Sequence, residues 1–264
     1  MRVIVTRPQR EVGKWVDSLA SAGFDAVALP LIEVSAAPNT QAVVSAWEQL
    51  HTYDAAMFVS GNAVEHFFTL KPTPAPVFTA QAAIKTRAFV TGPGSHSALL
   101  RAHAEAAFID APDAQAGQFD SESLWAVAGH RVQPGYRVLI VRGAGSLAMS
   151  GDKGHGRDWF ADHVQAAGGV VDYVVAYQRR CPTMTEENRA LVQEAAADGS
   201  VWLFSSSEAI LNLVSCCALQ SWQQARAVVT HARIAQVARD AGFAVVRESR
   251  PQLASLVASI ESLQ

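Results

Sequence analysis

A repeated strand-to-helix pattern is the feature of this 264-residue sequence that most restricts its fold. The segment Phe58–Val64 (FVSGNAV) recurs as Phe204–Ile210 (FSSSEAI), a shift of 146 positions from 58 to 204. Two further landmarks keep the same order at similar spacing: Gly23 and Gly168, which are 145 positions apart, and Val90-Thr91 and Val229-Thr230, which are 139 positions apart. Three ordered landmarks indicate a duplication. Two similar domains are therefore predicted, and we expect the working site between the two copies.

Short apolar runs alternate with helical patterns in both copies. Val3–Thr6 predicts a buried strand, which is followed by a helical face that ends at Gly23. The pattern restarts with a strand at Val138–Val141, a glycine-rich loop from Gly143 to Gly156 and a helix at Asp158–Ala167. Strands that alternate with helices form a mostly parallel sheet. The predicted fold class is therefore α/β.

Composition excludes several classes of protein. Half of the residues are hydrophobic and 17% are charged, which supplies a sizeable core and argues against disorder. The formal net charge of -3 gives no argument for a nucleic-acid or acidic-membrane partner. Cys181, Cys216 and Cys217 are odd in number and lack a C-x-x-C pair, which disfavours structural zinc and a disulfide framework. The apolar run Val3–Val5 is too short for a signal peptide or a membrane span, so we expect a cytoplasmic location.

Proline-bounded segments predict two crossings between the domains. Pro30 and Pro38 bracket an extended segment that alternates too weakly to be a core strand, and Pro182 marks a second crossing. The halves of the sequence are therefore not expected to be the domains.

The candidate binding residues follow the strands of the repeat. In open α/β sheets, ligands bind beyond the carboxyl ends of the strands, where helix N-termini attract anions. Small and hydroxyl residues at these junctions can hold carboxylates, although any one of them can also be a simple helix cap. Arg7 and Arg142 each close the first strand of a repeat and could pair with ligand carboxylates, or form ordinary ion pairs. The loop candidates are Ser60, Gly61, Asn62, Gly92, Gly94, Ser95, Gly143, Ser205, Ser206 and Ser207.

Familiar catalytic motifs do not occur in this sequence. The loop that begins at Gly143 lacks the third glycine of G-x-G-x-x-G, and there is no G-x-x-x-x-G-K-[ST] or G-x-S-x-G segment. The eight histidines show no metal-ligand spacing, so no metal is predicted. Most of these histidines are expected at the surface.

Six segments taken together resemble uroporphyrinogen-III synthases. They are Val5–Pro8, Leu29–Glu33, Phe58–Val64, Val141–Gly143, Ala176–Arg179 and Phe204–Ala209. The resemblance extends over essentially the whole chain and depends on the ordered set, because no single motif in that family is strict. It implies two flavodoxin-like domains, each a parallel sheet with helices on both faces, joined by a two-stranded connector. Domain 1 would contain residues 1–34 and 180–264, domain 2 residues 39–170, and the connector residues 35–38 and 171–179.

The resemblance also implies an activity. Enzymes of this family are lyases of tetrapyrrole (haem) biosynthesis that take linear hydroxymethylbilane, lose its terminal hydroxyl as water and close the macrocycle. Closure inverts ring D through a spirocyclic intermediate, and no cofactor is needed. The implied partner is this small linear tetrapyrrole, with no nucleic acid and no membrane. A monomer is expected, and a transient contact with the preceding enzyme of the pathway stays open.

Tyr177 matches the tyrosine that this family is proposed to use when the hydroxyl departs. A phenol can donate a proton to the leaving oxygen, and such general acid catalysis typically contributes about 10²- to 10⁴-fold. The alternative is a half-buried aromatic whose hydroxyl caps the connector. Thr91, Ser95 and Thr230 fall in loops that the family places around the substrate. The segment Thr230–Arg233 replaces a Gly-Pro-type loop of some relatives, and it suggests a binding role for His231.

This chain also departs from its relatives. A longer segment, from Arg142 to Arg157, replaces the shorter arginine-glycine loop of many relatives, so either arginine could face the ligand. Two other functions stay open on the sequence alone. One is an anion-binding or interaction module that kept the fold without the chemistry, and the other is a flavin-binding module.

Overall fold

The computed structural model describes residues 1–113, 119–145 and 155–263, and it divides the chain into two compact units. Unit 1 contains residues 1–34 and 180–264, and unit 2 contains residues 35–179. The strands of the described residues are β1 (Arg2–Val5), β2 (Asp25–Ala28), β3 (Glu33–Ala36), β4 (Ala55–Phe58), β5 (Arg87–Val90), β6 (Ile109–Asp110), β7 (Arg137–Ala144), β8 (Val170–Arg180), β9 (Val201–Phe204), β10 (Arg226–Val229) and β11 (Val245–Glu248).

Helices follow most of these strands. The α-helices of the described residues are α1 (Gln9–Ser21), α2 (Thr40–Glu48), α3 (Gly61–Thr69), α4 (Pro93–Arg101), α5 (Ser121–Ala128), α6 (His155–Ala166), α7 (Glu186–Ala195), α8 (Ser207–Cys216), α9 (Ala232–Asp240) and α10 (Leu253–Glu261). Short 3₁₀ helices occur at Leu50–Thr52, Ala106–Phe108 and Gly129–Arg131. The predicted α/β fold class is confirmed.

Unit 1 is a parallel sheet with the strand order β11-β10-β9-β1-β2. Side chains alternate between its two faces, as they must along a strand. Val3 and Val5 pack with helices α1 and α10 on one face, whereas Ile4 packs with α7, α8 and α9 on the other. The central strand β9 is buried along its whole length, as expected for a parallel strand covered on both faces.

Unit 2 has the corresponding parallel strands in the order β8-β7-β4-β5-β6. Met57 and Ile140 pack with helices α5 and α6 on one face. On the other face, Phe58 contacts Phe67 of α3 with ring centroids 5.6 Å apart. Every residue of the central strand β4 is buried. Burial of each large aliphatic or aromatic side chain contributes about 1.5–3 kcal/mol.

The strand orders explain the repeat in the sequence. Numbered by chain order within its own unit, unit 1 has the flavodoxin order 2-1-3-4-5. Unit 2 has the same arrangement in the permuted order 5-4-1-2-3, because β7 and β8 occupy the positions of β1 and β2. The permutation places the repeated Phe58 and Phe204 at the ends of equivalent central strands, β4 and β9.

The chain crosses between the units on two strands that are neighbours in a sheet. β3 lies beside β8 at the edge of the unit 2 sheet, and the units meet in sequence at residues 34–35 and 179–180. Arg180 and Glu33, from these two strands, form an ion pair of 2.5 Å. The segment after Pro30, predicted to be an extended connector, forms β3.

Two local predictions differ from the structure. Gly143 was expected in a loop but lies in β7, next to a register irregularity at Arg142/Gly143, and residues 146–154 of the predicted loop lie outside the described residues. The sulfur atoms of Cys181 and Cys216 lie within bonding distance and form a disulfide, against the expectation from cysteine spacing, because the fold brings residues 35 positions apart together. In the described part of the chain, no helix has the length and apolar character needed to cross a membrane.

Candidate active site

The central strands of unit 2 end at a topological switch point, the position at which doubly wound sheets bind ligands. β4 and β7 are parallel neighbours, with Phe58 paired to Val141. They lie where the strand order reverses, since the chain continues from β4 toward one edge and from β7 toward the other. Ligands of such folds bind beyond the carboxyl ends of the strands at this switch point.

Tyr177 reaches this switch point from β8. Its hydroxyl lies 3.1 Å from Ser60 Oγ, at hydrogen-bond distance, and either oxygen can be the donor. β7 separates β8 from β4 in the sheet, so the side chain spans a whole strand to make this contact. The Tyr177 side chain is only 2% exposed. Its oxygen is therefore held at the switch point through Ser60.

Gly143 makes this crossing possible. It is the direct cross-strand partner of Tyr177 in the β7–β8 ladder. A Cβ atom added at Gly143 would overlap the Tyr177 ring, with its Cζ and both Cε atoms all nearer than 3.0 Å. The absence of a side chain on β7 therefore allows the ring to lie over the strand.

Ser60 also begins the helix that follows β4. Its Oγ accepts a hydrogen bond of 3.1 Å from the backbone N–H of Ala63, which caps α3. Hydroxyl residues are favoured at this position because they satisfy one of the free N–H groups of the first turn. The cap fixes the Ser60 oxygen at the positive end of the helix dipole.

His66 packs against the same tyrosine from α3. The two rings are nearly parallel, with an interplanar angle of 22° and centroids 5.8 Å apart. The imidazole is half-buried. It therefore forms part of the wall around the Tyr177 ring.

The loop after β5 lies beside the Ser60 loop. A Cβ atom added at Gly61 would be 3.5 Å from the carbonyl oxygen of Gly94. Gly92 begins α4 with Pro93 in its first turn, and Thr91 is half-buried. Ser95 is only 5% exposed within α4, so its side chain is turned away from solvent. Asn62, in the first turn of α3, is half-buried.

Arg142 stacks on an aromatic ring near the end of β7. Its guanidinium carbon lies 4.5 Å from the centroid of Tyr173. The side chain of Arg157, the other arginine of the predicted loop, lies outside the described residues.

The corresponding residues of unit 1 follow three adjacent strands. Arg7, after β1, donates to Glu11 at 3.1 Å and stacks over Trp15 at 4.3 Å. Its Nε is buried without a hydrogen-bond partner in the described chain. Arg7 is equivalent in position to Arg142, so each repeat places an arginine on an aromatic ring at the same edge of its sheet.

Hydroxyl residues follow β9 in unit 1. Ser206 caps α8 by accepting from the backbone N–H of Glu208 at 3.2 Å. Ser205 and Ser207 are half-buried, and Ser207 Oγ is buried with no hydrogen bond among the described residues. After β10, the N–H of Thr230 donates to Phe204 O at 3.2 Å.

His231 is the residue that caps the helix after β10. Its Nδ1 accepts a hydrogen bond of 3.0 Å from the backbone N–H of Arg233 and so caps α9. β10 and β9 are parallel neighbours, so the residues that follow them lie at one edge of the sheet. The imidazole is exposed.

Comparison with known proteins identifies the family. Residues 13–258 match the family described as uroporphyrinogen-III synthase HemD. This chain belongs to the uroporphyrinogen-III synthase family. The match covers all of the described site residues except Arg7.

Solved structures of uroporphyrinogen-III synthases share the fold. The synthetase from Helicobacter pylori is 16% identical, with a TM-score of 0.60 and complete coverage of both chains. A mutant synthase from Thermus thermophilus is 15% identical, with a TM-score of 0.57 and coverage of 100% of this chain and 98% of the other. These likenesses concern the architecture.

Sequence reasoning missed two partners of Tyr177 in this uroporphyrinogen-III synthase family member. His66 was grouped with histidines expected at the surface, because the pattern of residues along α3 gives no sign of its neighbour on β8. Gly143 was predicted in a loop, whereas the structure places it in β7 beneath the tyrosine ring, and its contact with a ligand stays a prediction. The described residues contain no group of three or more histidine, cysteine or acidic side chains that could hold a metal ion.

Proposed function

We propose that this protein converts hydroxymethylbilane to uroporphyrinogen III and water, with inversion of ring D and without a cofactor. Membership of the uroporphyrinogen-III synthase family supports the lyase class. The observation that carries the proposal is the hydrogen bond between Tyr177 and Ser60 at the switch point of unit 2. This phenol–serine pair follows the strand ends at which doubly wound folds bind their ligands, which supports the proposal.

The strand ends of each unit suit a ligand with many carboxylates. Capped helix N-termini follow β4 and β9 at Ser60 and Ser206, and each presents backbone N–H groups and hydroxyls. Arg7 and Arg142 add guanidinium groups, which bind carboxylates with two parallel hydrogen bonds. We assign Arg7, Arg142 and Ser206 to substrate carboxylates, together with Gly61, Asn62, Thr91, Gly92, Gly94, Ser205, Ser207, Thr230 and His231. Ser60 is assigned to a substrate oxygen beside Tyr177.

Tyr177 is proposed as the source of the proton for the leaving hydroxyl. Loss of hydroxide from the bilane is slow unless the oxygen is protonated as the carbon–oxygen bond breaks. General acid catalysis of this kind contributes about 10²- to 10⁴-fold. Orientation of the folded bilane supplies a further part of the rate, because bringing the chain ends together in advance lowers the entropy cost of closure.

Product analysis tests this function directly. Hydroxymethylbilane is incubated with the protein, the products are oxidised, and the uroporphyrin isomers are separated and quantified. We expect mainly isomer III, formed faster than the spontaneous closure measured with heat-denatured protein. Formation of isomer I alone, at the spontaneous rate, would contradict the proposal and favour a binding module that kept the fold.

A further inference from the structure

We infer that Ser60 delivers the proton to the leaving hydroxyl and that Tyr177 acts through it, as the proton source behind Ser60. This inference rests on the proposed function and adds the order in which the two hydroxyl groups pass the proton. It starts from burial: Tyr177 is 2% exposed, whereas Ser60 is half-buried at the end of β4. A substrate oxygen therefore meets Ser60 before it meets the phenol.

The hydrogen-bonding capacity of Ser60 determines the direction of the relay. A serine hydroxyl has one proton and two acceptor positions. The N–H of Ala63 occupies one acceptor position of Ser60 Oγ at 3.1 Å. Tyr177 Oη lies at hydrogen-bond distance from the same oxygen, also 3.1 Å away. A phenol is a stronger acid than an aliphatic alcohol, so we assign the donor role in this pair to Tyr177. The proton of Ser60 is then left to be donated to a ligand.

The proton transfers balance over the whole reaction. Ser60 Oγ gives its proton to the departing oxygen, the carbon–oxygen bond breaks with its electron pair on that oxygen, and water leaves. Ser60 takes the phenolic proton of Tyr177 in the same step, which leaves a phenolate. Ring closure later releases a proton from a pyrrole α-carbon, and the return of that proton through Ser60 restores Tyr177.

The surroundings of the pair suit the transient negative charge. The Tyr177 oxygen carries this charge 3.1 Å from Ser60 Oγ, beside the N-terminus of α3, where the helix dipole stabilises an anion. The Tyr177 ring lies beside the His66 ring of α3 and packs on the bare backbone of Gly143 in β7. The distance between the two oxygens is thus fixed by packing before the substrate binds.

A double-mutant cycle tests the relay. The variants are Ser60→Ala, Tyr177→Phe and the double variant, with kcat and KM measured for isomer III formation. We expect each single change to lower kcat about 10²-fold, with KM changed less than about threefold. The double variant should be no slower than Ser60→Ala, because both changes interrupt one chain of proton transfer. Multiplied effects in the double variant, near 10⁴-fold, would overturn the relay.

A proton inventory separates a relay from a merely structural role of Ser60. In mixtures of H₂O and D₂O, kcat of the wild-type protein should depend on deuterium content along a curve, because two protons move in one step. The dependence should become linear in Ser60→Ala. A linear dependence in the wild-type protein would contradict a two-proton step.

Two further variants keep the test independent of helix capping. Thr185→Ala removes a hydroxyl cap of 3.1 Å from α7, outside the site, and should leave kcat unchanged. Ser60→Thr keeps both the cap and a hydroxyl, and should recover kcat to within about tenfold of the wild-type value. If the wild-type protein forms no isomer III, the proposed function fails; if it forms isomer III but Ser60→Ala keeps full kcat, only the relay fails.

Discussion

At the residue scale, Gly143 of β7 determines where the ring of Tyr177, the proposed proton source, can lie. The residue lies at a register irregularity, opposite Tyr177 in the ladder. Any side chain at this position would occupy the volume of the tyrosine ring. Protein interiors are densely packed, so the ring has to move if that volume is filled.

The variant Gly143→Ala should therefore lower both activity and stability. We expect Tyr177 to leave Ser60, the rate of isomer III formation to fall at least tenfold, and unfolding free energy to fall by about 1–3 kcal/mol, as for other overpacked cores. Rates come from the isomer assay and stability from urea titration. Gly13→Ala is the matched control, because a Cβ at Gly13, in α1, meets nothing within 4 Å. Wild-type activity in Gly143→Ala would contradict this account of the ring position.

Tyr136, just before β7, should make stability fall in alkaline solution. Burial raises the pKa of Tyr136 from 10.0 to about 12, with smaller contributions from the negative charges of Asp54 and Asp110. The unfolded chain loses this proton near pH 10, whereas the folded protein keeps it until about pH 12. Because the folded state binds more protons in this window, its stability decreases as the pH rises from about 10 to 12.

The variant Tyr136→Phe isolates this contribution. Unfolding free energies measured in urea at pH 9 and pH 11 should fall less for Tyr136→Phe than for the wild-type protein. Other groups with raised pKa values, such as Tyr53, are present in both proteins and cancel in the comparison. Equal pH dependence of the two proteins would show that Tyr136 ionises alike in the folded and unfolded states.

At the element scale, the buried carboxylate of Asp110 stabilises the edge of the unit 2 sheet. Asp110, at the end of β6, has a side chain only 7% exposed and binds two arginines. Arg87, at the start of β5, donates to it at 2.5 Å and 3.2 Å, and Arg131 donates at 3.3 Å. The short strand β6 is thus held by charge-assisted hydrogen bonds as well as by its ladder.

The variant Asp110→Asn should lower the unfolding free energy by about 2–3 kcal/mol, because hydrogen bonds to charged groups are lost and the arginines keep uncompensated charge. Urea titration measures the change. Arg101→Gln is the control: its pair with Glu65 has side chains 66% and 39% exposed, and exposed pairs contribute at most about 1 kcal/mol. A loss no larger than that of the control would mean that the Asp110 cluster does not support the sheet edge.

The same scale shows what local sequence could predict. Strands such as β4 and β9 are continuous apolar runs, and Ser60 and Ser206 are favourable caps directly after them, so element type and helix start follow from neighbouring residues. β3 was harder to recognise, since it pairs only at a sheet edge with β8 and its burial is partial. Edge strands have a weak hydrophobic pattern because only part of their surface is covered.

At the whole-molecule scale, unit 2 is one continuous stretch of chain with its own sheet and core. Domains of this kind commonly fold without the rest of the protein. A fragment of residues 35–179 should therefore unfold cooperatively on its own, as followed by circular dichroism on heating. A fragment of residues 35–169 lacks β8 and should not. Absence of a cooperative transition in the longer fragment would mean that unit 2 depends on unit 1 to fold.

The duplication, the α/β class and the family could all be reached from the sequence. Each depends on patterns within a few residues, namely periodic burial, caps after strands and ordered motifs, which the backbone translates directly into elements. Family membership follows from the same ordered set, and the match over residues 13–258 confirms it. The assignment of individual residues to substrate carboxylates stays a prediction.

Only the tertiary structure decided which residues meet. Tyr177 and Ser60 are 117 positions apart and come together because β7 and β8 lie beside β4, which is a property of strand order. A glycine is required at position 143 because the Tyr177 ring lies over it. Cys181 and Cys216 come together only when unit 1 folds. Local propensity carries no information about such pairs, because contacts between distant segments are set by how whole elements pack.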